Sequence, residues 1–165
     1  GEFKNRHTVR PGDLVLANTD ITQKREVIGS PGLVPPQADS EVLLFTHHVF
    51  AVRFHEGKEW WKLFVYFSLL NDEFRERASG FATGTTVLAL PRDAVLDLQL
   101  PTPPRQLIDA FNNVVLPLIK RQWKSHEESR TLAALRDTLL PKLISGDIRV
   151  TDAGRVVLTP ANGAL

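Results

Sequence analysis

The sequence contains no cysteine and no methionine in 165 residues, and only one tyrosine. Without cysteine there is no disulfide stapling, no thiolate zinc site and no cysteine nucleophile. No apolar run approaches the ~20 residues needed to cross a bilayer, and no secretory leader opens the chain, so the cytosol is the expected compartment and no membrane partner is expected. The missing methionine extends to the initiator; Gly1-Glu2-Phe3 therefore reads as a cloning remnant and the chain as a fragment. A strong charge of either sign is also lacking, with 20 Lys and Arg against 19 Asp and Glu. Residues 1–104 carry 11 basic and 13 acidic side chains, and residues 105–165 carry 9 and 6. Neither segment could hold nucleic acid by net charge alone, so any DNA contact must rest on a local patch.

What is present suits a packed domain with an appendage. Hydrophobic residues make up 42% of the chain, with nine Phe and three Trp, enough for a core and unlike a solvated tail. The pattern predicts an α+β protein: a β-rich domain over residues 7–104, long helices over 105–146 and a tail over 147–165. Pro11-Gly12-Asp13 is a turn signal, and Leu14-Val15-Leu16-Ala17 reads as a buried strand. Asn18 to Ser30 reads as a long polar loop, and Pro35-Pro36 as an exit. Glu41 to Phe54 is the longest strand candidate, a hairpin bent near Thr46-His47-His48, with His48, Phe50, Val52 and Phe54 on one face. Lys58 to Leu70 shifts to helical spacing through Trp60, Phe64 and Phe67. Gly80 to Gly84 interrupts it, Thr85 to Leu90 reads as a strand, Asp93 to Leu96 as a helical turn and Leu98 to Leu100 as a last strand. Pro101-Thr102-Pro103-Pro104 marks the boundary.

Beyond that boundary, Leu107, Phe111 and Val114 form an apolar helical face. An interior proline loses a hydrogen bond and clashes one turn back, so a break is expected at Pro117, with a second helix of about 40 Å running from there to Ser145. Gly146 is its expected C-cap, with Pro141 kinking or fraying the last turn. Positions 111, 118, 125, 132 and 139 step by seven and read Phe, Leu, Ser, Leu, Leu. Such recurrence favours a partner helix over packing on the chain's own domain, because one helix cannot bury the seam alone. The interface candidates are Phe111, Leu118, Leu132, Leu135, Leu139 and Leu143, broken by polar turns from Arg121 to Arg130. In the tail, Arg149–Thr151 and Val156–Leu158 could pair as a hairpin.

Catalytic motifs are mostly missing: no phosphate-binding Gly-rich loop ending in Lys-Ser/Thr, no dinucleotide fingerprint, no paired-histidine zinc helix and no nucleophile elbow. No catalytic residue, cofactor or metal is assigned. His47, His48 and His55 invite a metal reading, but adjacent histidines on a strand point to opposite faces, which favours packed or solvated rings. Asp39 with Glu56-Gly57-Lys58 resembles the acid and acid-x-lysine pattern of a small Mg²⁺-dependent nuclease, although Gly57 reads more naturally as a turn. For nucleic acid the candidates are loop-borne. Thr22-Gln23-Lys24-Arg25 offers amide, cations and hydroxyl that can meet base edges. Arg75 and Arg77 lie beside Ser79-Gly80 and Thr83-Gly84-Thr85-Thr86, where small residues let backbone N–H groups approach phosphates.

Three stretches carry a family resemblance that covers most of residues 10–150. The run Ser129-Arg130-Thr131-Leu132-Ala133-Ala134-Leu135-Arg136-Asp137-Thr138-Leu139-Leu140-Pro141-Lys142-Leu143-Ile144-Ser145-Gly146-Asp147-Ile148-Arg149-Val150 resembles the C-terminal end of specificity subunits of type I restriction–modification systems. Gly12-Asp13-Leu14-Val15-Leu16-Ala17-Asn18-Thr19-Asp20 through Val27-Ile28-Gly29 resembles the opening of a target-recognition domain. Ser79-Gly80, Gly84-Thr85-Thr86-Val87 and Leu100-Pro101-Thr102-Pro103-Pro104 resemble its close. The resemblance implies a recognition domain (7–104), a spacer helix able to pair in an antiparallel coiled coil (105–146), and a subunit that performs no chemistry. It implies reading of one half of a split site on double-stranded DNA, and docking of adenine methyltransferase subunits and through them the restriction subunit. The methyltransferase signature itself is absent, since Pro103-Pro104 follows Thr102 and precedes Arg105. With one recognition domain and one spacer present, pairing with a second copy into a homodimer is a further expectation. A helical assembly scaffold without DNA contact is the remaining alternative.

Overall fold

The computed structural model describes residues 7–22, 24–36 and 43–149. It is an α+β fold with a long C-terminal helix. The strands are β1 (Thr8–Val9), β2 (Leu14–Ala17), β3 (Thr19–Asp20), β4 (Pro31–Leu33), β5 (Leu43–Leu44), β6 (Val49–Val52) and β7 (Leu88–Ala89). The helices are α1 (Lys62–Leu69), entered through a 3-10 turn at Glu59–Trp61, then α2 (Asp72–Phe81), α3 (Arg92–Leu96) and α4 (Arg105–Ile144). By compactness the chain divides into two units, Gly1–Ile119 and Lys120–Leu165.

In the first unit β2 is the centre of a three-stranded antiparallel sheet ordered β4-β2-β6. Alternation decides what it buries: Leu14 and Leu16 point inward with no exposed surface, opposite Val52 and Phe50 of β6. Ile28, Leu69, Phe74, Ala78, Leu88 and Leu90 complete the core around them. Phe50, Val52 and Phe54 share the core-facing side as their spacing predicts, while His48 stays exposed.

Several expectations are corrected. The arms around the bend at residues 46–48 do not form one hairpin: β5 pairs with β1, and β6 with β2. The strand expected over Thr85 to Leu90 is only Leu88–Ala89, and Leu98 to Leu100 is not a strand. The segment after the aromatic helix is itself helical. Asn71 caps α2 by accepting from the Glu73 N–H at 3.1 Å, with Asp72 and Glu73 in its positive first turn. The break expected at Pro117 does not occur, for α4 is one helix of 40 residues. Ile108 and Ile119 are buried on either side of that proline, and Asn112 Nδ2 donates to the Trp60 carbonyl at 2.8 Å, so packing holds the helix where propensity would break it. The Leu107 turn also borders a shallow apolar recess of about 430 Å³ lined by Phe64, Phe67 and Phe111. The helix runs on through Pro141 and ends at Gly146, φ +80°, as expected of a C-cap. Asp39 and the tail hairpin lie outside the described residues.

The chain entering β4 comes close to α2. Gly29 has φ +73°, and a Cβ placed there would lie 2.7 Å from the Ala78 Cβ. Gly12, φ +85°, has nothing within 4 Å of such a Cβ. Gly29→Ala should therefore cost more than about 2 kcal/mol, backbone strain plus overpacking, while Gly12→Ala costs about 1 kcal/mol. Urea denaturation of the two variants checks the difference; equal costs would mean that the close approach to α2 is not tight.

Candidate nucleic-acid interface

The antiparallel pair β3–β7 sets Asp20 opposite Leu88, so the chain leaving β3 and the chain entering β7 project from the same end of the pair. Loop 21–28 is the first of these segments. Its organiser is the Asp20 side chain, a residue only 3% exposed. Oδ1 accepts from the Thr22 N–H at 2.6 Å, and Oδ2 accepts from Val27 at 2.7 Å and Ile28 at 3.0 Å. Burial alone raises a carboxyl pKa, but the Thr22 side chain together with these backbone donors outweighs it and brings Asp20 from the ordinary 3.8 to about 2. Within the loop, Thr22 Oγ1 accepts from the Glu26 N–H at 3.2 Å, and Arg25 turns through a left-handed backbone, φ 56°.

Two arginines then tie this loop to α2 in opposite directions. Arg25 Nη1 donates to the Ser79 carbonyl at 2.6 Å, near the end of α2. Arg75, from α2, donates through Nη2 to the Glu26 carbonyl in the loop. Each guanidinium has five N–H donors, so both keep capacity beyond these bonds. The structure thus brings together Thr22, Arg25, Arg75 and Ser79. It also shows that Arg75 and Arg77 are carried by a helix rather than by a loop. The missed signal is the Asn71-Asp72-Glu73 cap and acidic first turn.

The other candidates lie on the same loop and helix and on the turn before β7. Lys24 is exposed and makes no hydrogen bond or ion pair with any described residue. Arg77 sets its guanidinium 5.9 Å from the Phe81 ring centre, one turn on. Thr83 exchanges both backbone hydrogen bonds with Ala89, at 3.0 and 2.7 Å. That closes a turn whose Gly84, φ +120°, leaves only 2.2 Å between a notional Cβ and the Val87 carbonyl oxygen. Thr85 and Thr86 are exposed on this turn. Gln23 lies outside the described residues. Sequence reasoning passed over four exposed apolar side chains on the same loop, helix and turn: Ile21, 79% exposed, with Val27, Phe81 and Val87. Mixed cations, hydroxyls and small apolar groups on a fixed surface can meet phosphates, base edges and thymine methyls.

The rival constellations are placed differently. Gly57, φ +73°, sits in a turn closed by the Lys58 N–H on the His55 carbonyl at 2.9 Å, and Lys58 Nζ lies 5.9 Å from the Trp60 ring centre. His47 and His48 occupy a turn, not a strand, so their rings come within 4.0 Å instead of pointing apart. His48 Nδ1 lies 2.9 Å from Thr19 Oγ1. Among the described residues no three His, Asp or Glu side chains cluster as metal ligands. Of the interface leucines, Leu118, Leu132 and Leu135 are exposed, Leu139 and Leu143 half-buried, and Phe111 packs edge-on against Phe67 at 5.6 Å. Among the described residues no helix is long and apolar enough to cross a membrane.

Removing the Asp20 carboxylate strands three backbone donors, so Asp20→Ala should cost about 2–4 kcal/mol at pH 7. Because folding lowers this pKa, the stabilisation is complete above about pH 4 and is lost as the pH falls through about 2. Asp20→Asn should accordingly be less stable at neutral pH and lack that part of the acid transition. Denaturant midpoints from pH 7 to 2 check this; parallel curves for the two proteins would mean the carboxylate is not what titrates.

No protein-family model matches the chain. The MjaIX specificity subunit of a type I restriction enzyme from Methanocaldococcus jannaschii is 30% identical over 69 residues, 42% of this chain and 16% of that protein. The HindI specificity subunit of a type I restriction enzyme from Haemophilus influenzae is 28% identical over 86 residues, 52% of this chain and 19% of that protein. The matched stretches thus amount to less than a fifth of the length of these curated relatives. Over those stretches the chain is similar to two type I restriction enzyme specificity subunits.

Proposed function

We propose that this chain is a sequence-specific DNA-recognition module of a type I restriction–modification complex. It reads one half of a bipartite site and performs no chemistry. The observation that carries this reading is the similarity to two specificity subunits. The surface assigned to DNA is the end of the β3–β7 pair, with Thr22, Lys24, Arg25, Arg77, Thr83, Thr85 and Thr86 as contacts, and Gln23 is added as a contact on its sequence position alone. Arg75 and Ser79 act from behind, by holding the loop. The hydrogen bonds that hold the described loop residues favour this assignment, because groups held before binding give up less conformational entropy on meeting a base pair. The segment 7–104 is the recognition domain, and 105–146 is the spacer and assembly helix on which methyltransferase subunits dock. The restriction subunit joins through them.

A net charge of +1 makes the isolated chain a weak DNA binder. Selection from a random duplex library, with the methyltransferase subunit present, should enrich one short asymmetric half-site. Failure to enrich any sequence, with the complex assembled, would overturn the reading in favour of a scaffold. Lys24→Ala and Arg77→Ala should each weaken binding about three- to tenfold and flatten the salt dependence by about one unit of slope without changing the melting temperature. Arg25→Ala should also lower the melting temperature, since it releases loop 21–28 from α2. Titration of a labelled duplex at several salt concentrations, alongside thermal melts, reads both effects.

A further inference from the structure

The four cations of loop 21–28 and α2 differ in what their nitrogens already do. Lys24 makes no hydrogen bond or ion pair with any described residue. The Arg77 guanidinium has the Phe81 ring beside it, 5.9 Å to the ring centre, and donates to no described residue. Arg75 is half-buried and donates through Nη2 to the Glu26 carbonyl. Arg25 is exposed and donates through Nη1 to the Ser79 carbonyl at 2.6 Å, with Ser79 Oγ at 3.4 Å.

Which nitrogen is engaged decides what remains. In a planar guanidinium Nε and Nη2 share one edge and donate in parallel, as a fork. In Arg75 that edge already serves the loop; in Arg25 it is open. The Arg25 fork is also held from both ends. At the backbone, its N–H donates to the Thr22 carbonyl at 3.2 Å, and its φ of 56° is a turn that few non-glycine residues enter. At the tip, the Ser79 carbonyl belongs to the last turn of α2, the negative end of a helix that has no basic residue of its own there. Among the described residues no carboxylate pairs with Arg25, so a neutral partner orients the cation and leaves its charge unspent.

We propose that Arg25 reads a guanine in the half-site, with Nε and Nη2 donating to O6 and N7 in the major groove while Nη1 stays on Ser79. Guanine is the base that sets two acceptors side by side in that groove; adenine puts an N6 donor where one arm of the fork needs an acceptor. A phosphate needs only a nearby cation, and Lys24, the preceding residue, supplies one without a described partner to give up. The end of α2 is then a positioning element for base reading. The inference rests on the DNA-recognition role proposed above and adds to it one base and the side chain that reads it.

The test uses the full chain with its methyltransferase subunit and the half-site which that complex selects from random duplex. Replacing the guanine read by Arg25 with 7-deazaguanine, which lacks the N7 acceptor, should weaken wild-type binding about tenfold. Arg25→Lys keeps a cation that can reach the Ser79 carbonyl but has no planar fork. Selection with this variant should lose its preference at one G·C position and keep the others, and the variant should respond less than about threefold to 7-deazaguanine there. Equal responses of the two proteins at every guanine overturn the proposal. So does a variant that binds more weakly but selects the same sequence at every position, which is the behaviour of a phosphate contact. A selected half-site without a G·C pair overturns it as well. In each of these cases the chain still selects DNA and the proposed function stands; enrichment of no sequence by the wild-type complex is the separate result that removes the function. Circular dichroism equal to the wild type at the assay temperature establishes that the variant is folded.

Discussion

The surface at the end of the β3–β7 pair depends on one carboxylate. Asp20 stands where β3 ends, and its two oxygens gather N–H groups from both sides of loop 21–28. A buried anion is costly unless it is hydrogen-bonded, and a buried N–H is costly unless it is accepted; here each requirement meets the other. Loop closure follows from that exchange, and so does everything placed on the loop. Ile28 is delivered to the core at 1% exposure, and Gly29 is brought against α2. Arg25 is then in position to reach Ser79, and Arg75 to reach back to Glu26. The described residues of this polar excursion are thereby held by hydrogen bonds to one buried side chain.

Helix α4 shows how one element serves two surfaces. Side chains one residue apart diverge by about 100° around a helix. Ile108, Asn112 and Ile119 are consequently committed to the first unit, while Leu107, Val114 and Leu118 stay exposed on an adjoining strip. The start of the helix is further pinned by Arg105, whose guanidinium lies 5.4 Å from the Trp60 ring centre opposite an aromatic cluster of Trp60, Trp61 and Phe64. Pro117 falls inside this doubly anchored stretch. Its missing N–H and its ring are local penalties, and the buried side chains before and after it hold the helical path regardless.

Much of the architecture was legible in the chain. The apolar run Leu14-Val15-Leu16-Ala17 after a turn signal identified a buried strand, helical spacing from Trp60 identified α1, and the proline cluster preceded α4. The candidate contacts were named by residue type and loop composition, and the structure brings several of them to one end of β3–β7. Their division of labour was not legible. Nothing in Thr22-Gln23-Lys24-Arg25 separates Lys24, which makes no hydrogen bond or ion pair with any described residue, from Arg25, which binds a carbonyl 54 positions away. The helix under Arg75 was missed because Gly80 and the polar run beside it outweighed the Asn71 cap. The strand assignments at residues 85–87 and 98–100 failed because short apolar runs have no period long enough to separate strand from extended loop.

The sequence by itself determined the quantities that depend on near neighbours: which strand is buried, where turns fall, the seven-residue recurrence of α4 and its polar centre, and the segments that resemble a specificity subunit. Only the tertiary structure decided the quantities that depend on distant ones. These are the pairing of Asp20 with Leu88, the capture of loop 21–28 by Asp20 and α2, and the passage of α4 through Pro117. Each turns on a contact whose energy is absent until two remote segments meet, and no local propensity encodes which segments those will be.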